Sequence, residues 1–389
     1  MILKSIEVTG LLGRRAPLKA RFNADLNIVT GRNGAGKTTF LKLCWYLASG
    51  SINLAVAEIE FDTVILETDK YKLTLKRLAP NLCTAVVHVE GEEHEIEDEM
   101  DEDEIGVVRD ARDIISELVS PFATTLFFPT FRRIEGGFSM PRNKTSVRGR
   151  IIRESRDLEE AMAGLSRALS HGDNTFVSSI STVDIEALLL KNYADLSEKY
   201  NLLQKTVSSE VIEDIRGYEI AADSDPTSGE SGIKSAREVI DRVRAKIEKM
   251  ESDRVSVMAP MTAIQKTVVS LFNHSGIKFG PRLSFGDAAE AISSEVLSAG
   301  EKQMLSFVCY NAFRSNSVTF IDEPELSLHV DWQRSLFPTL LAQNPTNQFI
   351  IATHSPFIYS LYPDKEICID LEESRGDEQE IESVQIADS

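Results

Sequence analysis

The chain has no cysteine pair of the CxxC kind, and its four cysteines, Cys44, Cys83, Cys309 and Cys368, stand far apart in 389 residues. That spacing excludes a zinc-finger set and a disulfide framework, so all four are expected as small core residues. Nor does any apolar run approach the roughly 20 residues that a bilayer crossing needs. The amino terminus, MILKSIEVTG, alternates like a strand and lacks the charged and apolar blocks of a signal peptide. A cytoplasmic protein with no membrane contact is expected. Aromatic residues make up only 7% of the chain, but 42% is hydrophobic, enough for a large core. The length predicts about two to three domains.

Basic residues are scarcer than acidic ones, 42 against 61, and the formal net charge is −19. A total of that sign argues against a nucleic-acid partner, but its distribution matters more than its sum. The stretch EGEEHEIEDEMDEDE, residues 90–104, holds eleven acids and no lysine or arginine, and so supplies over half of the excess. It reads as a solvated loop or as a docking site for a basic partner. Opposite in sign is the run in which Arg132, Arg133, Arg142, Lys144, Arg148, Arg150, Arg153 and Arg156 face only Glu135 and Glu154. Such a run meets phosphates or forms a surface ion-pair network, and composition does not decide between the two.

The first 90 residues read as short β segments (ILKSIEV, LKARF, LNIVT, IEFDTVILET, YKLTLKRL, TAVVHV) around one helix that starts at Thr38. Alternation in several of them predicts half-buried antiparallel strands. A helix is expected over VVRDARDIISELV and a buried strand over TTLFFPT. From about Ser155 to Ala259 the pattern is helical: Ile185, Leu189, Tyr193, Leu196, Tyr200 and Leu203 recur every three or four positions. Ala236, Ile240, Val243, Ile247 and Met250 follow strict four-three spacing, the seam of a short coiled coil. Between these helices AADSDPTSGESG, residues 221–232, cannot continue either one. The economical reading is a helical hairpin inserted into a larger domain, its longer arm about 50 Å at 1.5 Å per residue. Beyond it, SVTFID, QFIIATH and EICID are strands alternating with helices, which implies a parallel sheet. The expected organisation is an N-terminal lobe at 1–150, the helical insertion at 151–260 and a C-terminal lobe at 261–389, ending in an acidic tail.

Chemistry concentrates at three places. GRNGAGKT, Gly31 to Thr38, follows the strand LNIVT and opens a helix, the context that a phosphate loop requires. Glycines 31, 34 and 36 let the backbone curl so that the N–H groups from Arg32, Asn33, Gly34, Ala35 and Gly36 through Thr38 and Thr39 converge on phosphates. Lys37 neutralises the terminal phosphates and the Thr38 hydroxyl ligates magnesium. In SVTFIDEPELSLH an apolar strand delivers Asp322 to its carboxyl edge as a second metal ligand, and Glu323 follows as a base for the attacking water. One strand later IIATHS sets His354 at the same edge, where its imidazole can donate to the γ-phosphate or to that water. A third feature is LSAGEKQ, Leu297 to Gln303, in which Ser298 and Gly300 open a helix and form an anion site with no evident ligand of its own.

Together these motifs resemble the ATP-binding-cassette ATPases: a phosphate loop at Gly31 to Thr38, a signature at Leu297, Ser298, Ala299, Gly300 and Glu301, the acidic pair Asp322 and Glu323, a D-loop near Leu326 to His329, and a switch histidine at His354. The resemblance covers roughly residues 1–150 and 260–370 and implies an α/β head, with a mixed sheet around the phosphate loop, an antiparallel β lobe and a helical hairpin insertion. It implies ATP as substrate and Mg2+ as cofactor. It also implies that the signature of one copy binds the γ-phosphate held by another, so that two ATPs are sandwiched in a symmetric head-to-tail dimer. The order DEPELSLHVDWQ with a helical insertion resembles the RecF, SMC and OLD-type branch. No Q-loop glutamine follows TTLFFPT; Phe131, Arg132 and Arg133 stand there, and Arg132 or Arg133 is expected to reach the nucleotide or an interface.

OLD-type nucleases carry a Toprim domain after the ATPase, whereas the 35 residues after His354 hold no such cluster of carboxylates. An effector on a separate chain is therefore expected. FFPTFRRIEGGF resembles stand-alone ATPases of bacterial anti-phage systems of the PARIS and Septu type. That resemblance implies a nucleotide-controlled sensor or scaffold, with a nuclease effector and a phage-derived trigger protein as partners. The rival reading is a RecF-like DNA-repair clamp whose Arg132 to Arg156 segment tracks a phosphate backbone. A third, the ATPase of a membrane importer, finds no recognisable coupling surface in the insertion.

Overall fold

The structure, a computed structural model, describes residues 1–97, 99–100, 107–130, 133–134, 161–162, 164–180, 182–224, 229–271 and 298–370. Leu297, Phe131, Arg132, the rest of the basic run to Arg156 apart from the backbone of 133–134, residues 98 and 101–104 of the acidic stretch, and the acidic tail lie outside the described residues. The chain forms two compact units. The first comprises Met1–Arg133, Ser139–Ser179 and Ser315–Ser389, the second Ile134–Phe138 and Ile180–Arg314.

In the first unit, strands β1 (Leu3–Thr9), β2 (Leu18–Arg21), β4 (Thr63–Thr68), β5 (Tyr71–Ala79), β6 (Leu82–Val89) and β7 (Glu92–Ile96) form one antiparallel sheet in the order β2-β1-β4-β5-β6-β7. Their alternation was legible because one face is buried: Leu73 and Leu75 of β5 are fully buried while Lys72 and Lys76, which flank them, are exposed. β3 (Leu26–Thr30), buried along its whole length, belongs to a different sheet. Short strands β8 (Glu99–Met100) and β9 (Val107–Arg109) pair with each other, so the helix α3 (Ala111–Val119) starts later than its sequence pattern suggested.

The second sheet of this unit runs β12 (Thr175–Phe176), β10 (Thr125–Phe128), β14 (Val318–Asp322), β15 (Gln348–Ala352), β3 and β16 (Glu366–Cys368). β11 (Arg133–Ile134) and β13 (Ser179–Ile180) lie where the chain passes from one unit to the other. Every pairing in the six-stranded sheet is parallel. Among the described residues the sheet around the phosphate loop is parallel and the antiparallel strands form a sheet of their own, so the α/β head combines both kinds of pairing with an antiparallel β lobe, as expected. Parallel strands need both faces covered, and helix α1 (Lys37–Ser49), buried from Phe40 to Ser49 except at Lys42, contributes to that cover. Its Trp45 packs 4.9 Å from Phe127 and 5.5 Å from Phe176, and its indole N–H donates to Thr125 Oγ1 at 3.0 Å. Helix α2 (Ile52–Glu58) and α3 join the same apolar core, which runs from Leu3 on β1 to Ile350 on β15. Cys44 and Cys83 are buried there, but Cys368 is exposed, contrary to expectation, because it sits on an edge strand.

The second unit contains α4 (Thr182–Ser224) and α5 (Gly229–Val257), with α6 (Ala259–Leu271) and α7 (Ala299–Ala312). Lys246 Nζ lies 2.8 Å from Asp214 Oδ2 and 3.4 Å from Glu210 Oε2, and the Arg254 guanidinium stands 6.0 Å over the Tyr200 ring, so α4 and α5 run antiparallel as a hairpin. At 43 residues α4 is about 65 Å long, more than the arm expected from sequence. The four-three stripe does not close as an inter-arm seam: Ile240 and Ile247 are 65% and 50% exposed, while Val239 beside them is buried. Among the described residues no helix is long and apolar enough to cross a membrane.

Candidate nucleotide-binding and catalytic site

β3 ends at Thr30, and the loop beyond it turns through three glycines with positive φ, 150° at Gly31, 82° at Gly34 and 85° at Gly36. Side-chain-bearing residues rarely adopt such angles. A Cβ on Gly36 would also stand 2.7 Å from Leu12 Cδ1, whereas at Gly34 nothing lies within 4 Å and the space is open. Gly36 is the N-cap of α1, with no side-chain cap and no acid in the first turn. The N–H groups at that start are therefore offered to a ligand. Arg32, Asn33, Gly34 and Thr38 are exposed, Ala35, Gly36 and Thr39 half-buried, and Lys37 is buried.

A buried ammonium needs acceptors, and Lys37 Nζ finds them in the Gly31 and Arg32 carbonyls at 2.9 and 3.2 Å. Two distant contacts brace the loop. The Arg14 guanidinium donates to the carbonyls of Ala35 and Ile369, and the Arg32 N–H donates to Asp370 Oδ1 at 2.5 Å.

The parallel register brings the other residues to the same edge. Asp322 ends β14 opposite Ala352 of β15, which sets His354 two residues beyond the sheet. Phe128 of β10 stands opposite Ile321, and Thr130 just after it donates its hydroxyl to Asp322 Oδ2. Asp322 is buried. Glu323 has a left-handed φ of 52°, a strained value for a residue with a side chain, and its N–H donates to Ala352 O at 2.8 Å. That turn aims its carboxylate at His354, with Oε1 3.4 Å from Nε2. His354 Nδ1 lies 3.5 Å from Lys37 Nζ. Burial, and then the negative charges of Glu325 and Asp322, push the Glu323 carboxyl up to about 7, with Lys37 pulling the other way. A base with that pKa is half ionised at neutral pH.

Lys37, Asp322, Glu323 and His354 are thus neighbours in the first unit, together with the phosphate loop. Thr38 and Asp322 offer the hard oxygen donors that magnesium takes, with phosphates and water to complete its shell. After burial, the charges of Glu325 and Asp322 add to the rise at Glu323, and a divalent cation at this edge would offset that part of it. Of the D-loop, Leu326 is exposed, Ser327 has φ 67°, and His329 caps α8 (Val330–Gln343), its Nδ1 accepting from the Asp331 N–H at 3.4 Å.

The signature residues Ser298, Ala299, Gly300 and Glu301 stand in the second unit, where the sequence-based division had set them with the C-terminal lobe. Ser298 caps α7: its hydroxyl accepts from the Glu301 N–H at 3.3 Å, and Glu301 Oε2 accepts from the Ser298 N–H at 2.7 Å. This capping box satisfies two of the donors at the helix start with groups from the chain itself.

Three site residues escaped the sequence reading. Thr130 reaches Asp322, and its signal was the buried strand it follows, whose Phe128 stands opposite Ile321 of β14; Arg132 and the Arg133 side chain lie outside the described residues. Glu325 follows Glu323 by two positions, and its Oε1 accepts from the His354 N–H at 2.8 Å. Arg14 had no local signal, since it meets the loop only in the folded chain.

The chain is similar to two solved structures over 92% of its length. One is an Smc head domain with an extended coiled coil bound to the C-terminal domain of ScpA from Pyrococcus furiosus, at 12% identity, 91% of that chain and TM-score 0.40. The other is an SmcHead bound to the C-winged helix domain of ScpA, at 11% identity, 92% of that chain and TM-score 0.42. Residues 165–360 match the family model described as "AAA domain, putative AbiEii toxin, Type IV TA system". That match spans just over half of the chain, from before the hairpin through the strand that carries Asp322 to the short helix after His354, and the protein belongs to this family of AAA-domain P-loop ATPases.

Proposed function

We propose that the protein hydrolyses ATP within a closed pair of its own copies and that the nucleotide state controls a separate effector in the cytoplasm, a nuclease in anti-phage defence. The observation that carries the catalytic part is the Glu323 carboxyl, set near neutrality and held 3.4 Å from His354 Nε2 at the edge that also carries Lys37 and Asp322.

On this reading Lys37 exchanges the Gly31 and Arg32 carbonyls for phosphate oxygens, and the uncapped start of α1 cradles them. Thr38 and Asp322 hold magnesium, which supplies charge neutralisation at the phosphates when bound. Thr130 orients the Asp322 carboxylate. Glu323 takes a proton from the water that attacks the γ-phosphorus, as the bond to the bridging oxygen breaks and ADP leaves with that electron pair. His354 donates to the same water or to the γ-phosphate. Ser298 and the start of α7 receive the γ-phosphate held by the second copy. ATP then stabilises the pair by contacts absent from the open copies, and hydrolysis removes them.

The partner reading rests on sequence resemblance and on the toxin–antitoxin setting in the family's description. It expects a phage-derived trigger that shifts the pair between states and so releases the nuclease. The alternative, a RecF-like DNA clamp, is favoured by the basic run from Arg132 to Arg156. Salt separates the two, since a DNA complex made of phosphate contacts weakens steeply as ionic strength rises.

The decisive experiment is Glu323→Gln. The variant is expected to bind ATP normally, to lose roughly 10²- to 10⁴-fold in turnover, and to double its mass in sedimentation when ATP and Mg2+ are present. Turnover at the native rate, or a wild-type protein whose specific activity is independent of dilution, would overturn the assignment.

A further inference from the structure

The turn that carries Glu323 holds another acid, Glu325, which helps to raise the Glu323 carboxyl and whose contact with the neighbouring strand has been given no task. Glu325 reaches across to the neighbouring strand's exit, where its Oε1 accepts from the backbone N–H of His354 at 2.8 Å, a contact between residues 29 apart. β14 and β15 lie side by side and parallel up to Asp322 and Ala352, and both chains then leave the sheet. Past that point two hydrogen bonds link the exits: the Glu323 N–H to Ala352 O at 2.8 Å, and the His354 N–H to Glu325. The first fixes where Glu323 begins; the second fixes where His354 stands.

His354 needs such an anchor. Its side chain is 39% exposed, so packing does not hold the ring, and among the described residues its two nitrogens lie near charged side chains, Glu323 at 3.4 Å and Lys37 at 3.5 Å. Both contacts are longer than good hydrogen bonds and constrain the ring weakly. Glu325, by contrast, stands in a turn that is hydrogen-bonded within itself: the Leu326 N–H donates to Glu323 O at 3.3 Å and the Leu328 N–H to Glu325 O at 3.0 Å. The two positive φ angles, at Glu323 and Ser327, bracket it.

We propose that Glu325 is a positioning residue, which latches the His354 backbone to the Glu323 turn so that imidazole and base face one water. A backbone N–H held by a side-chain carboxyl oxygen links two chain segments that no ladder bond joins at that point. It spans the two exits that must keep register while ligands come and go. Loss of a latch of this kind misplaces a catalytic group by a fraction of an ångström to an ångström, enough to slow chemistry without weakening nucleotide binding. The inference rests on the ATPase reading for its kinetic consequence but not for its geometry.

The test compares Glu325→Ala with Glu325→Gln, alone and in a His354→Ala background. Glu325→Ala is expected to lower kcat by about 10-fold or more with ATP affinity within about twofold, because the loss falls on the transition state. Glu325→Gln keeps an acceptor for the N–H and should stay within about threefold of wild type. With His354 already removed, Glu325→Ala should cost less than about twofold further, as residues acting through one another are not additive. A readout independent of turnover is the His354 ring signal in the NMR spectrum of nucleotide-free protein, assigned by its absence in His354→Ala. It should be unchanged in Glu325→Gln and shifted or broadened in Glu325→Ala. Should Glu325→Ala fail to fold, Glu325→Ser, too short to reach the N–H, carries the same expectations. Additive losses in the double variant, equal damage from glutamine and alanine, or an unmoved His354 signal each overturn the latch. An inactive wild type with a shifted ring signal would instead refute the ATPase reading and leave the latch standing.

Discussion

Two helices of this protein begin in opposite ways. α1 starts at Gly36 with a left-handed residue, no side-chain cap and no acid in its first turn. α7 starts at Ser298 with a complete capping box, in which Ser298 Oγ accepts from the Glu301 N–H and the Glu301 side chain from the Ser298 N–H. A helix start carries unsatisfied donors and about half a positive charge, so each arrangement has a cost or a use. The bare start presents its N–H groups with no side-chain partner from the chain's own cap, the arrangement that suits an anion. The capped start already holds a carboxylate of its own, and a phosphate from a second copy must share with Glu301 or displace it. The motif logic that read both helix starts as candidate anion sites could not tell the uncapped one from the capped one.

The comparison can be broken most severely at α1. Lys37→Ala removes the ammonium that partners the bare helix start, and ATP affinity should fall roughly 100-fold or more, measured by calorimetry, since charged hydrogen bonds are worth about 1.5–3 kcal/mol each. Retained affinity would mean that the backbone alone binds the phosphates. Next in size is Ser298→Arg, which blocks the α7 start. Turnover should drop by about 100-fold while single-copy ATP binding stays within about twofold. If binding is lost as well, the signature does not act across copies. Glu301→Ala opens the capping box and is expected to cost about 0.5–2 kcal/mol in urea unfolding, whereas Glu301→Gln should keep most of that. Equal stability in all three proteins would show that the box contributes nothing.

A third helix start sharpens the picture at low pH. Asp110 caps α3, accepting from the Arg112 N–H and, more importantly, from the Arg112 side chain, which holds its carboxyl below the usual range against the opposing effect of burial. Folding lowers this pKa. Its stabilisation is therefore complete above the unfolded carboxylate value of about 3.9 and is lost as pH falls through the lower folded value. Asp110→Ala should lose about 1 kcal/mol at neutral pH, a difference that shrinks below about pH 4 in parallel denaturation curves. A gap that is constant down to pH 2 would remove the carboxylate from the account.

Local chemistry made much of the candidate site legible. Gly31 to Thr38, Asp322, Glu323 and His354 could be named in advance because a phosphate loop needs contiguous donors and a sheet edge collects the residues that end apolar strands. Thr130 and Asp322 are 192 positions apart, and no spacing announces their contact. Arg14, bound to the loop at Ala35, was silent for the same reason. Periodicity failed in a different way on α5, where the stripe through Ile240 and Ile247 was correct as a pattern but faces outward in part, since spacing says which residues share a face and not what covers it.

What the order of residues determined by itself is the set of local devices: glycines where φ must be positive, alternation where one face of a strand is dry, an acid or a serine where a helix begins. These depend on neighbours within a few positions, so they survive without any knowledge of the fold. Only the tertiary structure decided which strand ends meet, that Glu325 ties His354 to the Glu323 turn, and that crowded burial lifts the Glu323 carboxyl to about 7. Those outcomes depend on distance and dielectric between segments remote in the chain, and both exist only once the sheet has formed.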